Sequence, residues 1–396
     1  MSDSGPVLAG TLHGHVDVVN AIVYLPEMEC VISASDDRTL RVWLRRDNGD
    51  WWPSVCQTLA GPVSALAFDA KSRRLFAGVE LGNIFEYSCS EDLNRLAIKQ
   101  DHRAHTARVT AINFVPDHEW ILSVGRDKFF QWLDAQTGRR LGCFQSDAWC
   151  SCLQFDPVSK FAFLGDYGGN IELLKVDDGR LSLVSTLKGH EGSIRSLAWD
   201  GKKRRLYSGS FDKRIIVWDI GSQKGVTYEF YAHLSKIKSV VFIPEDRRLV
   251  SSGDDQKLIF WDLKKRRLEA PEWAEAPDCQ KCGTPFFWNF KKKLNVTRQH
   301  HCRMCGKALC DDCSARRTTL PKMGFELPIR TCQECFSTVG EKDRRPYCKT
   351  YGAKHAVADM VWSASTRELV TAGTNGLIKI WKVPTIGHDA SSEDED

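Results

Sequence analysis

Between residues 279 and 335 eight cysteines fall into four C-x-x-C pairs: Cys279/Cys282, Cys302/Cys305, Cys310/Cys313 and Cys332/Cys335. A two-residue spacer lets both thiolates of a pair turn onto one tetrahedral ion. Eight thiolates saturate two zinc ions and leave no open coordination position, so the metal is expected to build the domain rather than catalyse. Lodged around the second pair is the run Arg298-Gln299-His300-His301-Cys302-Arg303. Guanidinium groups supply planar paired donors, and imidazoles supply donors whose charge depends on pH. What remains for function is this dense cationic cluster, fixed beside a metal knuckle.

These residues resemble the FYVE domain, whose core motif reads R-(R/K)-H-H-C-R-x-C-G. The chain has Arg298 to Gly306 in that pattern, and Arg330-Thr331-Cys332 where the family has R-V-C. The resemblance covers about residues 273 to 336. It implies two structural zinc ions bound in alternation. One would take Cys279, Cys282, Cys310 and Cys313; the other would take Cys302, Cys305, Cys332 and Cys335. It further implies that Arg298, His300, His301, Arg303 and Arg330 hold the head group of phosphatidylinositol 3-phosphate. The chain departs from the family at two places. Gln299 replaces the second basic residue, and Ala276 stands where a W-x-x-D aspartate would follow Trp273.

Head-group binding alone seldom holds a protein on a membrane; a second signal is generally needed. Leu294 and Val296 lie where the family's membrane-inserting loop sits, after the lysines 291 to 293 that would meet anionic lipid. The preceding Phe286, Phe287 and Trp288 read as core.

The surrounding chain repeats. Five units run from a histidine (His15, His105, His190, His233, His355) to a tryptophan (Trp43, Trp132, Trp218, Trp261, Trp381), and two degenerate units end at Tyr87 and Leu174. Each unit alternates apolar and polar residues about a tight turn, the pattern of paired strands. A buried indole N–H needs an acceptor, which the histidine and a turn aspartate of the same unit (Asp37, Asp212, Asp255) can help supply. Asp127 precedes Trp132 by five residues rather than six, which predicts a shifted register there, and Asn375 replaces the aspartate in the last unit.

The period and pattern resemble WD40 repeats, which implies an all-β, seven-bladed propeller. The long step from Trp261 to Trp381 places the zinc domain between blades six and seven. The expected domains are residues 1–270 for blades one to six, 273–340 for the zinc finger, 350–384 for blade seven and 385–396 for an acidic, disordered tail in which Ser391 and Ser392 are candidate phosphosites. The segment Pro6–Leu12 should close the ring as the outer strand of blade seven. As a whole the chain resembles the WD repeat and FYVE domain-containing proteins.

Composition narrows the function. The net charge of +4 is too small to indicate a nucleic-acid binder, and residues 273–336 carry eleven Lys/Arg against six Asp/Glu, so the basic character is local. The seven cysteines outside the zinc domain form no disulfide framework, no signal peptide is evident, and no apolar run reaches the ~20 residues of a membrane span. The expectation is a non-enzymatic, cytoplasmic adaptor, peripheral on early endosomes, whose propeller gathers proteins such as kinases or trafficking factors. The competing expectation is a RING-like zinc-dependent ubiquitin ligase.

Overall fold

The structure, a computed structural model, describes residues 5–177, 179–222, 225–269, 271–286, 288–289, 294–295 and 298–385. Seven antiparallel sheets stand around a central channel. Blade one shows the common plan in Val19–Leu25, Cys30–Ser35, Thr39–Arg45 and Trp51–Thr58, paired in chain order. Val7–Leu12 pairs with Ile378–Lys382 and completes blade seven, so the ring closes by joining the two ends of the described chain. Closure removes two exposed sheet edges.

The zinc domain opens blade six rather than separating it from blade seven. Cys348–Gly352, which follows the domain, pairs with Lys257–Asp262 as the fourth strand of blade six. The expected placement between blades, and the start of blade seven at 350, are corrected accordingly. The physical reason is an offset. A repeat read from histidine to tryptophan ends on the third strand, so the strand after each tryptophan still belongs to the same blade.

Blade three keeps its register, against expectation. Ser123 pairs with Gln131 and Ile121 with Leu133, as Ser33 pairs with Arg41 and Val31 with Trp43 in blade one. Leu133 therefore occupies the position that tryptophan holds elsewhere. Trp132, one residue earlier, points to the other face, because successive strand residues alternate. Leu133 joins the cluster between blades two and three; Trp132 joins the cluster between blades three and four, edge-on to Trp120.

In blades one, five, six and seven a hydroxyl joins the histidine to the tryptophan; in blade three Ser123 meets only His105, and the displaced Trp132 indole N–H has no partner among the described residues. In blade six, His233 Nδ1 lies 2.8 Å from Asp255, while Ser251 Oγ lies 2.7 Å from His233 Nε2 and accepts the Trp261 indole N–H at 2.8 Å. Blades one and five repeat this set through Ser33 and Ser208, and blade seven uses Thr371. Degenerate blade two substitutes a buried ion cluster. Burial raises the Glu86 pKa, but His102, Arg74 and Lys99 outweigh it and hold the group at about 2.

Candidate functional site

Each cysteine set converges. The sulfurs of Cys279, Cys282, Cys310 and Cys313 lie within 4.8 Å of one another, as do those of Cys302, Cys305, Cys332 and Cys335. The Cys282 and Cys310 sulfurs are 3.7 Å apart, close to the edge of a tetrahedron with ~2.3 Å metal–sulfur bonds. The Cys332 backbone N–H donates to Cys302 Sγ and the Cys335 N–H to Cys332 Sγ, each at 3.3 Å, as thiolates require. The donor set, spacing and N–H support fit one zinc ion per tetrad. When bound, zinc supplies the cross-links that stand in for a large apolar core.

The basic run lies on the shoulder of the second tetrad. His300–His301 forms a short strand against Ala308–Leu309, so the two imidazoles face opposite sides. His300 Nε2 lies 2.8 Å from Asp311 Oδ1. The same carboxylate accepts from Arg330 Nη1 at 3.1 Å, and Arg330 also donates to Ser314 Oγ at 3.0 Å. Burial, then Arg330, lowers the His300 pKa, with Asp311 opposing. On the other face, His301 Nε2 lies 3.0 Å from the Ala274 carbonyl and the ring stacks on Trp273 at 5.0 Å between centroids. The Arg303 guanidinium lies 4.1 Å from the centre of the same indole.

The two faces meet through the backbone, where the Arg303 N–H donates to the Arg330 carbonyl at 3.1 Å. Arg298 is exposed. The five basic residues singled out in sequence are thus gathered around one knuckle, in two subclusters rather than one ring. Leu294 is described only in its backbone, pairing with Asn289, and Val296 lies outside the described residues, as do Phe287 and the acidic tail with Ser391 and Ser392. Phe286 packs against the cysteine cluster.

Three participants escaped the sequence. Asp311 and Ser314 sit in and after the third cysteine pair, and only the fold turns them toward Arg330. The third is the propeller itself. Burial lowers the Arg303 pKa; Glu229 of blade five is the largest opposing influence, and Arg214 and Glu191 of the same blade also act on it.

That proximity follows from a seam. The hairpin Arg316–Leu320/Phe325–Thr331 of the zinc domain extends the sheet of blade five, with Tyr231 N–H donating to the Gly324 carbonyl at 2.9 Å. Tyr231 packs on Leu320, Met323, Phe325, Ile329 and Val339. Gly324 has φ +89°, and an added Cβ would lie 1.9 Å from the Glu229 carbonyl oxygen. Only glycine allows this approach.

The matching families agree with this architecture. The FYVE zinc finger model matches residues 271–341, and the WD domain, G-beta repeat model matches 7–43, 97–131, 181–219, 224–262 and 345–382. Mouse WD repeat and FYVE domain-containing protein 1 is 42% identical over 97% of this chain and 95% of its own length. Human WD repeat and FYVE domain-containing protein 2 is 45% identical over 96% of each. The chain belongs to the WD repeat and FYVE domain-containing family. In fold it is similar to the crystal structure of the WD40 β-propeller domain of Doa1, with a TM-score of 0.63 at 16% identity over 96% of this chain and 97% of that one. As a member of the family, it combines a two-zinc FYVE finger with a seven-bladed ring. Among the described residues no helix is long and apolar enough to cross a membrane.

Proposed function

We propose that this protein is an adaptor that binds phosphatidylinositol 3-phosphate through its FYVE finger and carries its propeller to early endosomal membranes, where the ring engages signalling or trafficking proteins. The observation that carries the reading is the gathering of Arg298, His300, His301, Arg303 and Arg330 around the second cysteine tetrad. Arg330 and His300, now sharing Asp311, are placed to exchange that carboxylate for a phosphate dianion. Arg303, stacked on Trp273, offers a donor fork on the adjoining face. Leu294 and Val296 are proposed as the apolar contact with the bilayer, supplying the second signal that stable attachment needs.

Sedimentation of the full-length, zinc-loaded protein with liposomes across a phosphoinositide panel tests this. Binding should favour the 3-monophosphate, and Arg330→Ala and Arg303→Ala should each weaken it by about tenfold or more with zinc content unchanged. Equal binding to every monophosphate, or full binding by both variants, would sink the assignment. The ubiquitin-ligase reading finds no supporting observation in the FYVE match or in the all-cysteine tetrads.

A further inference from the structure

A second basic site lies on the propeller, away from the zinc tetrads. At the junction of blades five and six a cavity of about 190 Å³ is ringed by Lys203, Arg205, Arg247, Lys264, Lys265 and Arg266. None of the six is ion-paired among the described residues. The one carboxylate in the lining, Asp200, is already engaged, accepting the backbone N–H groups of Lys202 and Lys203 at 3.1 and 3.2 Å. Beneath them lies Arg267, only 6% exposed. Its Nη1 donates to the Asp262 carbonyl at 2.7 Å, but its Nε and Nη2 find no hydrogen-bond partner. A buried guanidinium with two idle donors is costly unless something accepts from them.

Structural support for the ring alone is a poor account of this cluster. Like charges are held together against repulsion, and burial, followed by Arg247 and Arg205, lowers the Lys203 pKa. The walls are firm: Tyr207 stacks on Phe242 at 5.6 Å and Phe230 lies under the Arg267 guanidinium at 4.6 Å. Donors converge from the turn that follows Asp200, the turn at Arg247 and the connector 264–267 that leads out of blade six to the zinc domain. Convergence onto a small enclosed space suits a compact anion with several charges rather than an extended chain, which would need an open groove. Arginine forks and lysine ammonium groups together are the usual donors for phosphate.

We infer that this cavity is a binding site for a compact polyanion bearing clustered phosphate groups, of the inositol polyphosphate type, either free or as a lipid head group. It is separate from the FYVE site and does not rest on the function proposed for that site. Because four of its cations lie on the connector, an occupant would also tie the exit of blade six to the ring.

The test uses the full-length, zinc-loaded protein at about 150 mM salt. Calorimetric titration with inositol hexakisphosphate reads the soluble source. Sedimentation with vesicles containing phosphatidylinositol 4,5-bisphosphate reads the lipid source. Saturable one-to-one binding in either arm is expected to weaken roughly tenfold or more in the exposed triple variant Lys203→Ala/Arg247→Ala/Arg266→Ala. It should persist in Arg303→Ala, which removes a FYVE-site cation and none of the cations that line the cavity. The inference is overturned if neither probe binds, if the triple variant binds as wild type, or if Arg303→Ala abolishes binding. Tighter one-to-one binding by a peptide of residues 386–396, or by duplex RNA, would give the cavity to another ligand class and overturn it as well.

Discussion

The propeller and the zinc domain solve the same problem by opposite means. Every junction between neighbouring blades has its own buried apolar cluster, seven around the ring. The zinc domain has two small clusters, one of them made largely of its own metal ligands. Stability is therefore distributed in the ring and concentrated in the finger. A distributed structure tolerates local divergence, which is why blades two and four can lose both histidine and tryptophan. The finger has no comparable redundancy.

The largest expected effect breaks the two regions apart. Removing zinc with a chelator, or Cys302→Ser, should unfold residues 279–335, because structural zinc contributes ~10 kcal/mol or more. Hydrogen exchange should rise there while the inner strands of the blades stay protected. Blade six should survive, since lengthening the loop between its third and fourth strands costs little closure entropy. Loss of protection throughout the ring would show that the finger also supports the propeller.

Next in size is the seam. Gly324→Val cannot coexist with the Glu229 carbonyl and should undock the hairpin from blade five without removing metal. Exchange should increase at Tyr231, with zinc stoichiometry unchanged. If the zinc is lost instead, docking and metal binding are one cooperative unit.

Within the ring, Ser251→Ala leaves the Trp261 indole N–H and His233 Nε2 facing one another without the shared hydroxyl. A cost of about 3 kcal/mol is expected in urea unfolding. A change below about 0.5 kcal/mol would mean the triad contributes little.

The smallest effect compares blade seven with its siblings. Asn375 stands near His355 where His15, His105, His190 and His233 pair with aspartate, His355 Nδ1 has no hydrogen-bond partner among the described residues, and burial, then Lys379, pushes its pKa down to about 4. Between pH 6.5 and about 4 the folded chain thus binds fewer protons at this site than the unfolded chain. Stability must fall as pH drops through that window, by about 2 kcal/mol at pH 5. Asn375→Asp should raise the His355 pKa and shrink this loss. Urea midpoints of the two proteins at pH 7 and pH 5 read the difference, and identical pH dependence would exclude the assignment.

Much of this was written in residue spacing. Zinc knuckles and WD40 turns are local devices: a C-x-x-C pair or an aspartate six residues before a tryptophan works through neighbours a few positions away, so a single chain reading finds them. Even the bridging serine was legible, since Ser33, Ser208 and Ser251 each precede their tryptophan by ten residues. Trp132 shows the limit of such counting. A one-residue displacement looks the same whether the strand slips or the side chain changes face, and only the pairing of Ser123 with Gln131 distinguishes them.

What the sequence by itself determined is the two kinds of unit, their number and their ligands, because each closes over short stretches of chain. What only the tertiary structure decided is their relation. The fourth strand of blade six lies beyond the finger, Gly324 meets Glu229, Arg303 lies within reach of blade five, and three separate segments crowd their cations around one cavity. Those contacts join residues about twenty to a hundred positions apart, and their partners share no local period. No spacing rule can announce them, since they exist only after the ring has closed and the finger has found its edge.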